Sequence, residues 1–183
     1  MSQVGSDTNP LRVAIVGAGP AGFYTAERLF KEKNIHITID MYDRLPTPFG
    51  LVRNGVAPDH QKIKSVTKVF DRLAAKPEFR FFGNVELGSD ISVEDLRQHY
   101  HQIVYTTGAQ TDRYLDIPGI ELKNSHPATE FVAWYNGHPD FRNYEFDLSQ
   151  ESGAGIGVGN VGGDMARILC RPPEKLLGTD LAD

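Results

Sequence analysis

The sequence holds a single cysteine, Cys170, so no disulfide can form within the chain and a cysteine-based zinc cluster is out of reach. It has no excess of basic charge either. Nineteen lysines and arginines stand against 24 acidic residues, for a formal net charge of −5. A chain of that sign has no electrostatic reason to seek nucleic acid or an anionic membrane. No apolar run approaches the roughly 20 residues that a membrane span requires. Residues 1–10 lack both a secretory pattern and an Arg-rich transit pattern, and they are expected to be disordered. These absences point to a soluble protein in a reducing, cytoplasmic compartment. Glycine is plentiful by contrast, at 18 of 183 residues, and the placement of those glycines organises the reading. The length leaves room for one ordinary domain, or for one domain and part of another.

The chain alternates between two periodicities. Leu11–Val16 is a short β-branched run that reads as a buried strand ended by Gly17. From Pro20 to about Glu32 the pattern turns helical, with Phe23, Ala26, Leu29 and Phe30 on one face. His36–Asp43 alternates with period two and reads as a second strand. Residues 44–58, with three prolines and two glycines, suit neither element. Asp59 then opens a long helical stretch with Ile63, Val66, Val69, Phe70 and Leu73 on one face. Phe79–Phe82 reads as a third strand and Gln102–Thr107 as a fourth. Between them Ser92 reads as a helix N-cap, with Asp95 in the place usually taken by Glu or Gln. A further helical patch covers Thr129–Tyr135. Strands alternating with helices imply an α/β layered fold with a parallel sheet.

Gly17-Ala18-Gly19-Pro20-Ala21-Gly22 matches G-x-G-x-x-G at the junction of a predicted strand and a predicted helix. Gly17 permits the tight turn. Gly19 keeps side-chain atoms away from a pyrophosphate, and Gly22 lets the helix pack close to the strand. Pro20 suits the first helical turn. The helix N-terminus supplies free N–H groups and partial positive charge. The fingerprint also needs an acid at the end of the second strand to bind ribose. Asp40 and Asp43 compete, and Asp43, at the strand end, is the choice. This pattern implies a dinucleotide without separating NAD from FAD.

The strings Leu45-Pro46-Thr47-Pro48-Phe49-Gly50-Leu51-Val52-Arg53 and Gly55-Val56-Ala57-Pro58-Asp59-His60 are long and unusual. So are Phe81-Phe82-Gly83-Asn84-Val85, Tyr105-Thr106-Thr107-Gly108-Ala109, Asp112-Arg113, Ile117-Pro118-Gly119 and Glu130–Pro139. Together they closely resemble the adrenodoxin-reductase-like ferredoxin–NADP reductases. These are two-dinucleotide-domain flavoproteins of the glutathione-reductase-like group. The resemblance spans about residues 11–183. It implies that Gly17, Gly19, Pro20, Ala21 and Gly22 cradle the FAD pyrophosphate and that Asp43 holds the adenosine ribose. It places Gly50, Leu51 and Val52 along the flavin side and Val85 at the adenine through its backbone. Gly108 and Ala109 would lie where the chain passes between domains.

A second glycine cluster, Gly157-Val158-Gly159-Asn160-Val161-Gly162, again fits G-x-G-x-x-G. The resemblance makes it the NADP(H) site, with Gly157, Gly159, Asn160 and Val161 at the pyrophosphate and Arg113 as a contributing cation. Relatives carry an apolar strand before this motif, whereas this chain has Glu151-Ser152-Gly153-Ala154-Gly155-Ile156. Six of the 13 residues from 152 to 164 are glycine, which weakens both a preceding strand and the start of the helix. The expected organisation is a Rossmann-like FAD-binding segment over 11–115, then an inter-domain connection and partial NADPH-binding domain over 116–183, truncated relative to family members. The implied function is electron transfer from NADPH through FAD to a ferredoxin-type iron–sulfur protein, with no catalytic nucleophile or base and no metal site. The alternative is a truncated FAD- or nucleotide-binding fragment without turnover.

Overall fold

The computed structural model describes residues 3–182. In chain order its elements are β1 (Leu11–Val16), α1 (Pro20–Leu29), β2 (Ile37–Tyr42), α2 (Leu51–Asn54), α3 (Gln61–Lys64), α4 (Thr67–Ala74), β3 (Phe79–Phe82), α5 (Val93–His99), β4 (Gln102–Tyr105), α6 (Ala128–Tyr135) and α7 (Asn160–Leu169). A 3₁₀ turn follows at Pro173–Lys175. The chain divides into two units. One runs up to Arg53 and resumes over Ser65–Gly108; the other takes Asn54–Lys64 and the chain from Ala109 onward. The segment 54–64 thus groups with the later residues.

The first unit is α/β, as expected. Its four strands are all parallel, in the order β3-β2-β1-β4. Central strands of such a sheet are covered on both faces, so their sequences are nearly continuous in apolar residues. On one face Val13, Ile15, Ile39 and Met41 pack against Phe23 and Ala26 of α1 and Phe70 and Leu73 of α4. On the other, Ala14, Val16 and Tyr42 pack against Leu96 of α5. Phe23 and Phe70 stack with ring centroids 4.7 Å apart and are fully buried. Removing a buried phenylalanine side chain costs about 3–5 kcal/mol, so these rings set where α1 and α4 lie.

Several local expectations hold. Ser92 caps α5: its Oγ accepts the Asp95 N–H at 3.1 Å, and the Asp95 carboxylate accepts the Ser92 N–H at 3.0 Å. This is a capping box with Asp doing the work of Glu. Those bonds from Ser92 hold the Asp95 carboxyl below its ordinary pKa.

Three expectations are corrected. The single helix predicted from Asp59 is two, α3 and α4, separated by a turn at 65–66 closed by i→i+3 bonds from Lys68 N–H to Ser65 O and from Val69 N–H to Val66 O. The apolar stripe is split accordingly. Val66, Val69, Phe70 and Leu73 join the first unit's core, while Ile63 is exposed. The fourth strand ends at Tyr105, because Thr106 turns to bond the glycine loop. Finally, residues 3–10, expected to be disordered, form a turn in which Gly5 N–H bonds Asn9 O at 2.7 Å and His36 N–H bonds Gly5 O at 2.7 Å.

The second unit contains α3, α6, α7 and the 3₁₀ turn, and no strand among the described residues. Its small core joins Phe131, Val132 and Tyr135 of α6 to Ile168 of α7 and Leu176. Residues 145–158 carry neither helix nor strand, and Ile156 and Val158 are exposed. The glycine-rich run before the second motif thus forms no strand, as its composition implied.

Candidate functional site: two glycine loops

The first loop joins β1 to α1. Gly17 has φ +109°, a backbone that side chains rarely adopt. A Cβ there would lie 2.6 Å from the Thr106 carbonyl carbon and 2.8 Å from the Thr107 nitrogen. The turn is tight because the end of β4 presses on it: Thr106 N–H bonds Val16 O at 2.7 Å, and Thr106 Oγ1 donates to Gly17 O at 2.8 Å. A Cβ at Gly22 would strike the Gly17 carbonyl and come within 3.0 Å of Thr106 Oγ1, so Gly22 is the close-packing glycine of the motif.

Gly19 differs from both. A Cβ on it meets nothing within 4 Å. It is the N-cap of α1, in extended conformation, and it supplies no side-chain acceptor; no acidic residue sits in the first turn. The N–H groups of the first turn therefore have no side-chain cap, and the positive end of the helix lies at Gly19, where there is open space. An anion is the natural occupant of such a place. Gly50, with φ +47°, closes one side, since its Cβ would lie 2.8 Å from Gly19 Cα. Next to it Phe49 has φ +90°, a conformation costly for a bulky residue. It is held there by its N–H bond to Ala18 O at 2.8 Å and by its ring packed on Phe23.

Asp43 follows β2 and is half-buried. One carboxylate oxygen accepts the Ala18 N–H at 2.7 Å and the other the Leu45 N–H at 2.9 Å. The acid is thus tied directly to the glycine loop, with further lone pairs for a hydroxyl partner. Val85 donates its N–H to Asp43 O at 3.0 Å, so it stands beside the same acid. Asp40, the rival choice, is buried inside the sheet and paired with Arg80, away from the loop. Of the flavin-side residues, Leu51 is exposed and Val52 is buried in the core, so only Leu51 presents its side chain outward. Gly108 has φ +69° and open space at its Cβ position. Ala109 and Arg113 lie on an exposed stretch without helix or strand.

The second loop repeats the backbone of the first. Gly157 has φ +116°, against +109° at Gly17. Gly159, the N-cap of α7, has φ −74° and ψ 175°, against −82° and −176° at Gly19. A Cβ at Gly162 would lie 2.7 Å from Gly157 O, the counterpart of the Gly22 contact, and a Cβ at Gly159 meets nothing within 4 Å. Asn160 and Val161 open α7, with no acid in its first turn. The glycine spacing alone produces this turn, although no strand feeds it. Farther along α7, Arg167 bonds Asp164 at 2.7 Å and Asp59 at 2.8 and 3.0 Å, and Arg171 bonds Asp59 at 2.7 Å. The Arg167 guanidinium holds the Asp59 carboxyl below its ordinary pKa. Sequence reasoning missed this long-range cluster because charge spacing carries no signal for pairs more than a hundred residues apart. Among the described residues no group of side chains is arranged to hold a metal ion, and no helix is long and apolar enough to cross a membrane.

Comparison with known proteins agrees with this geometry. The chain is 48% identical over 174 residues to a probable ferredoxin/ferredoxin–NADP reductase of Mycobacterium bovis, covering 95% of this chain and 30% of that protein. It is 50% identical over 179 residues to the mitochondrial NADPH:adrenodoxin oxidoreductase of Arabidopsis thaliana, covering 97% of this chain and 37% of that one. The structure of Mycobacterium tuberculosis FprA in complex with NADPH superposes with a TM-score of 0.91 at 47% identity, over 96% of this chain and 40% of that one. The chain therefore spans between 30% and 40% of the length of these relatives. The profile of the family described as pyridine nucleotide-disulphide oxidoreductase matches residues 11–175, a span that takes in both glycine loops. By that match, the chain belongs to the pyridine nucleotide-disulphide oxidoreductase family.

Proposed function

We propose that this chain is the FAD-binding and NADP(H)-reading part of a flavoprotein oxidoreductase that passes electrons from NADPH through FAD to a ferredoxin-type iron–sulfur protein. One observation carries the reading most directly: Gly19 leaves open space at an uncapped helix N-terminus, beside an acid tied to the same loop. That combination suits a pyrophosphate with its ribose attached. The names of the relatives point the same way.

In this reading Gly17, Gly19, Pro20, Ala21 and Gly22 hold the FAD pyrophosphate, and Asp43 accepts from the adenosine ribose. Because the Val85 N–H is committed to Asp43 O, its carbonyl is the backbone group for the adenine. Gly50, Leu51 and Val52 line the flavin side, and Gly108 and Ala109 lead the chain away. Gly157, Gly159, Asn160 and Val161 take the NADP(H) pyrophosphate, with Arg113 as a cation for the same nucleotide. In functional terms residues 11–115 form the flavin segment and 116–183 the connection and NADP(H) segment. FAD held by these residues would supply the redox chemistry that links a two-electron nicotinamide donor to a one-electron iron–sulfur acceptor. The residues described here bind and orient the nucleotides and keep water from them. A single cysteine and net negative charge suit a cytoplasmic protein that does not bind nucleic acid.

A second reading, nucleotide binding without turnover, is favoured by the second loop's lack of a supporting strand. Purified protein separates the two. Flavin absorbance that NADPH bleaches, with reduction of ferricyanide or ferredoxin, is the expected result. Bound flavin that NADPH leaves oxidised selects the second reading. Colourless protein that takes up no added FAD refutes both.

A further inference from the structure

The face of the sheet under α5 carries a polar network that the two loops do not use. In the β2–β3 register Asp40 lies opposite Arg80 and Tyr42 opposite Phe82. Asp40 is 5% exposed. Arg80 grips it with two bonds, Nε to Oδ1 at 2.7 Å and Nη2 to Oδ2 at 2.6 Å. Tyr100, just after α5, donates its hydroxyl proton to Asp40 Oδ2. The hydroxyls of Tyr42 and Tyr100 are 2.6 Å apart. Since the single Tyr100 proton goes to Asp40, Tyr42 is the donor in that pair. Burial and the bond to Asp40 push the Tyr100 hydroxyl above its ordinary pKa, so it remains a donor at neutral pH.

The network also grips Phe82. The Tyr42 ring stacks on it with centroids 5.0 Å apart at 15°, and the Arg80 guanidinium stands 5.4 Å from the Phe82 centroid. One residue beyond Tyr42 is Asp43, and three beyond Phe82 is Val85. These two are themselves locked: Asp43 N–H bonds Phe82 O at 3.0 Å, and Val85 N–H bonds Asp43 O at 3.0 Å. Asp40 is buried while the Arg80 side chain is largely exposed, and a partly exposed ion pair adds little more to stability than an apolar pair would. What an apolar pair cannot do is fix the direction of two tyrosine rings and a guanidinium at once. Directional bonds matter where a neighbouring carboxylate must be held to within a fraction of an ångström of a ligand hydroxyl.

We propose that Asp40, Arg80, Tyr100 and Tyr42 form a positioning network for the adenosine end of the first nucleotide site, setting the place of the Asp43 carboxylate against the ribose. The role rests on the FAD reading above. These four residues touch no ligand themselves; they act through Asp43 and Val85.

The test uses the full chain with three probes: FAD, ADP, and 2′-deoxy-ADP, which lacks the hydroxyl that an acid in this position accepts from. Wild-type protein is expected to bind ADP about tenfold or more tightly than 2′-deoxy-ADP, the effect of a hydrogen bond to a charged acceptor. Tyr100→Phe keeps the ring and removes the hydroxyl. It is expected to keep the circular dichroism of the wild type, to weaken ADP about tenfold and to bring the ADP to 2′-deoxy-ADP ratio near one. Arg80→Lys keeps the charge but loses the two-bond grip, and is expected to fall between. A general loss of stability would weaken both nucleotides equally and leave that ratio unmoved, so an unmoved ratio in both variants overturns the proposal while FAD binding stands. A wild-type protein that binds ADP and its deoxy form equally overturns it through Asp43. A wild-type protein that binds none of the three probes overturns the FAD reading and this proposal together.

Discussion

Gly17→Ala and Gly19→Ala place the same methyl group two residues apart in opposite surroundings. At Gly17 the backbone has φ +109°, and the added carbon falls 2.6–2.8 Å from the Thr106–Thr107 peptide, which β4 holds in place. A non-glycine residue in such a conformation costs about 1–3 kcal/mol. Forcing a methyl against fixed backbone adds about 1–3 kcal/mol more. A total near 4 kcal/mol, at about 2–4 °C per kcal/mol for a chain of this size, lowers the melting midpoint by about 8–16 °C. At Gly19 the backbone is φ −82°, ψ −176°, which any residue adopts, and the added carbon meets nothing within 4 Å. Alanine is a poorer N-cap than glycine, but it also reduces the freedom of the unfolded chain by about 0.4–1 kcal/mol, so stability changes little. In the proposed function the methyl instead occupies the place of the pyrophosphate. Crowding of about 1–3 kcal/mol there weakens FAD about 5- to 150-fold. Thermal melting by circular dichroism and FAD titration by fluorescence, run on both variants, read the two effects separately. Gly17→Ala melting with the wild type would show that the turn does not need glycine. Gly19→Ala binding FAD as the wild type does would place the pyrophosphate elsewhere.

Two further outcomes follow from the second unit. Gly163 lies on α7, exposed, and a Cβ there meets nothing within 4 Å, so Gly163→Ala should stabilise the helix by about 1 kcal/mol; a lowered midpoint in urea refutes this. Asp59 is 7% exposed between Arg167 and Arg171, whose side chains are 33% and 34% exposed. Removing one partner of a fully buried pair costs about 3–5 kcal/mol, and the partial exposure of the arginines reduces the expected cost of Asp59→Asn to about 1–3 kcal/mol. Because the folded-state pKa of Asp59 is depressed, its contribution is complete above the usual aspartate value near 3.8 and is lost as pH falls from there through the folded value. Wild-type stability should fall toward that of Asp59→Asn as urea melts are taken to lower pH; a difference that stays constant with pH refutes the assignment.

The parts legible in the sequence were those that depend on residues close in the chain. The strand before Gly17, the helix after Pro20 and the Ser92–Asp95 cap all appear where local pattern placed them. The second glycine loop adopts its turn even without a strand, because φ near +110° and missing Cβ atoms are properties of the glycines themselves. The weak points were junctions. The apolar stripe from Ile63 to Leu73 has helical spacing throughout, yet it breaks at 65–66, where the chain changes from one unit to the other. Spacing records which residues share a face but not that two bodies claim the two halves of it.

The Asp40 network was missed for a similar reason, although a charged residue between Ile39 and Met41 on a strand with both faces apolar does call for a cationic partner. Which cation answers is a matter of sheet order: only the pairing of β2 with β3 brings Arg80 opposite Asp40, and only the packing of α5 brings Tyr100 to Asp40. By itself, then, the sequence determined the two glycine turns, since these need only backbone freedom and short spacing. The tertiary structure decided which acid meets the loop, what clamps Gly17, and what holds Asp40, because those contacts join residues 25 to 89 positions apart and exist only once the sheet has formed.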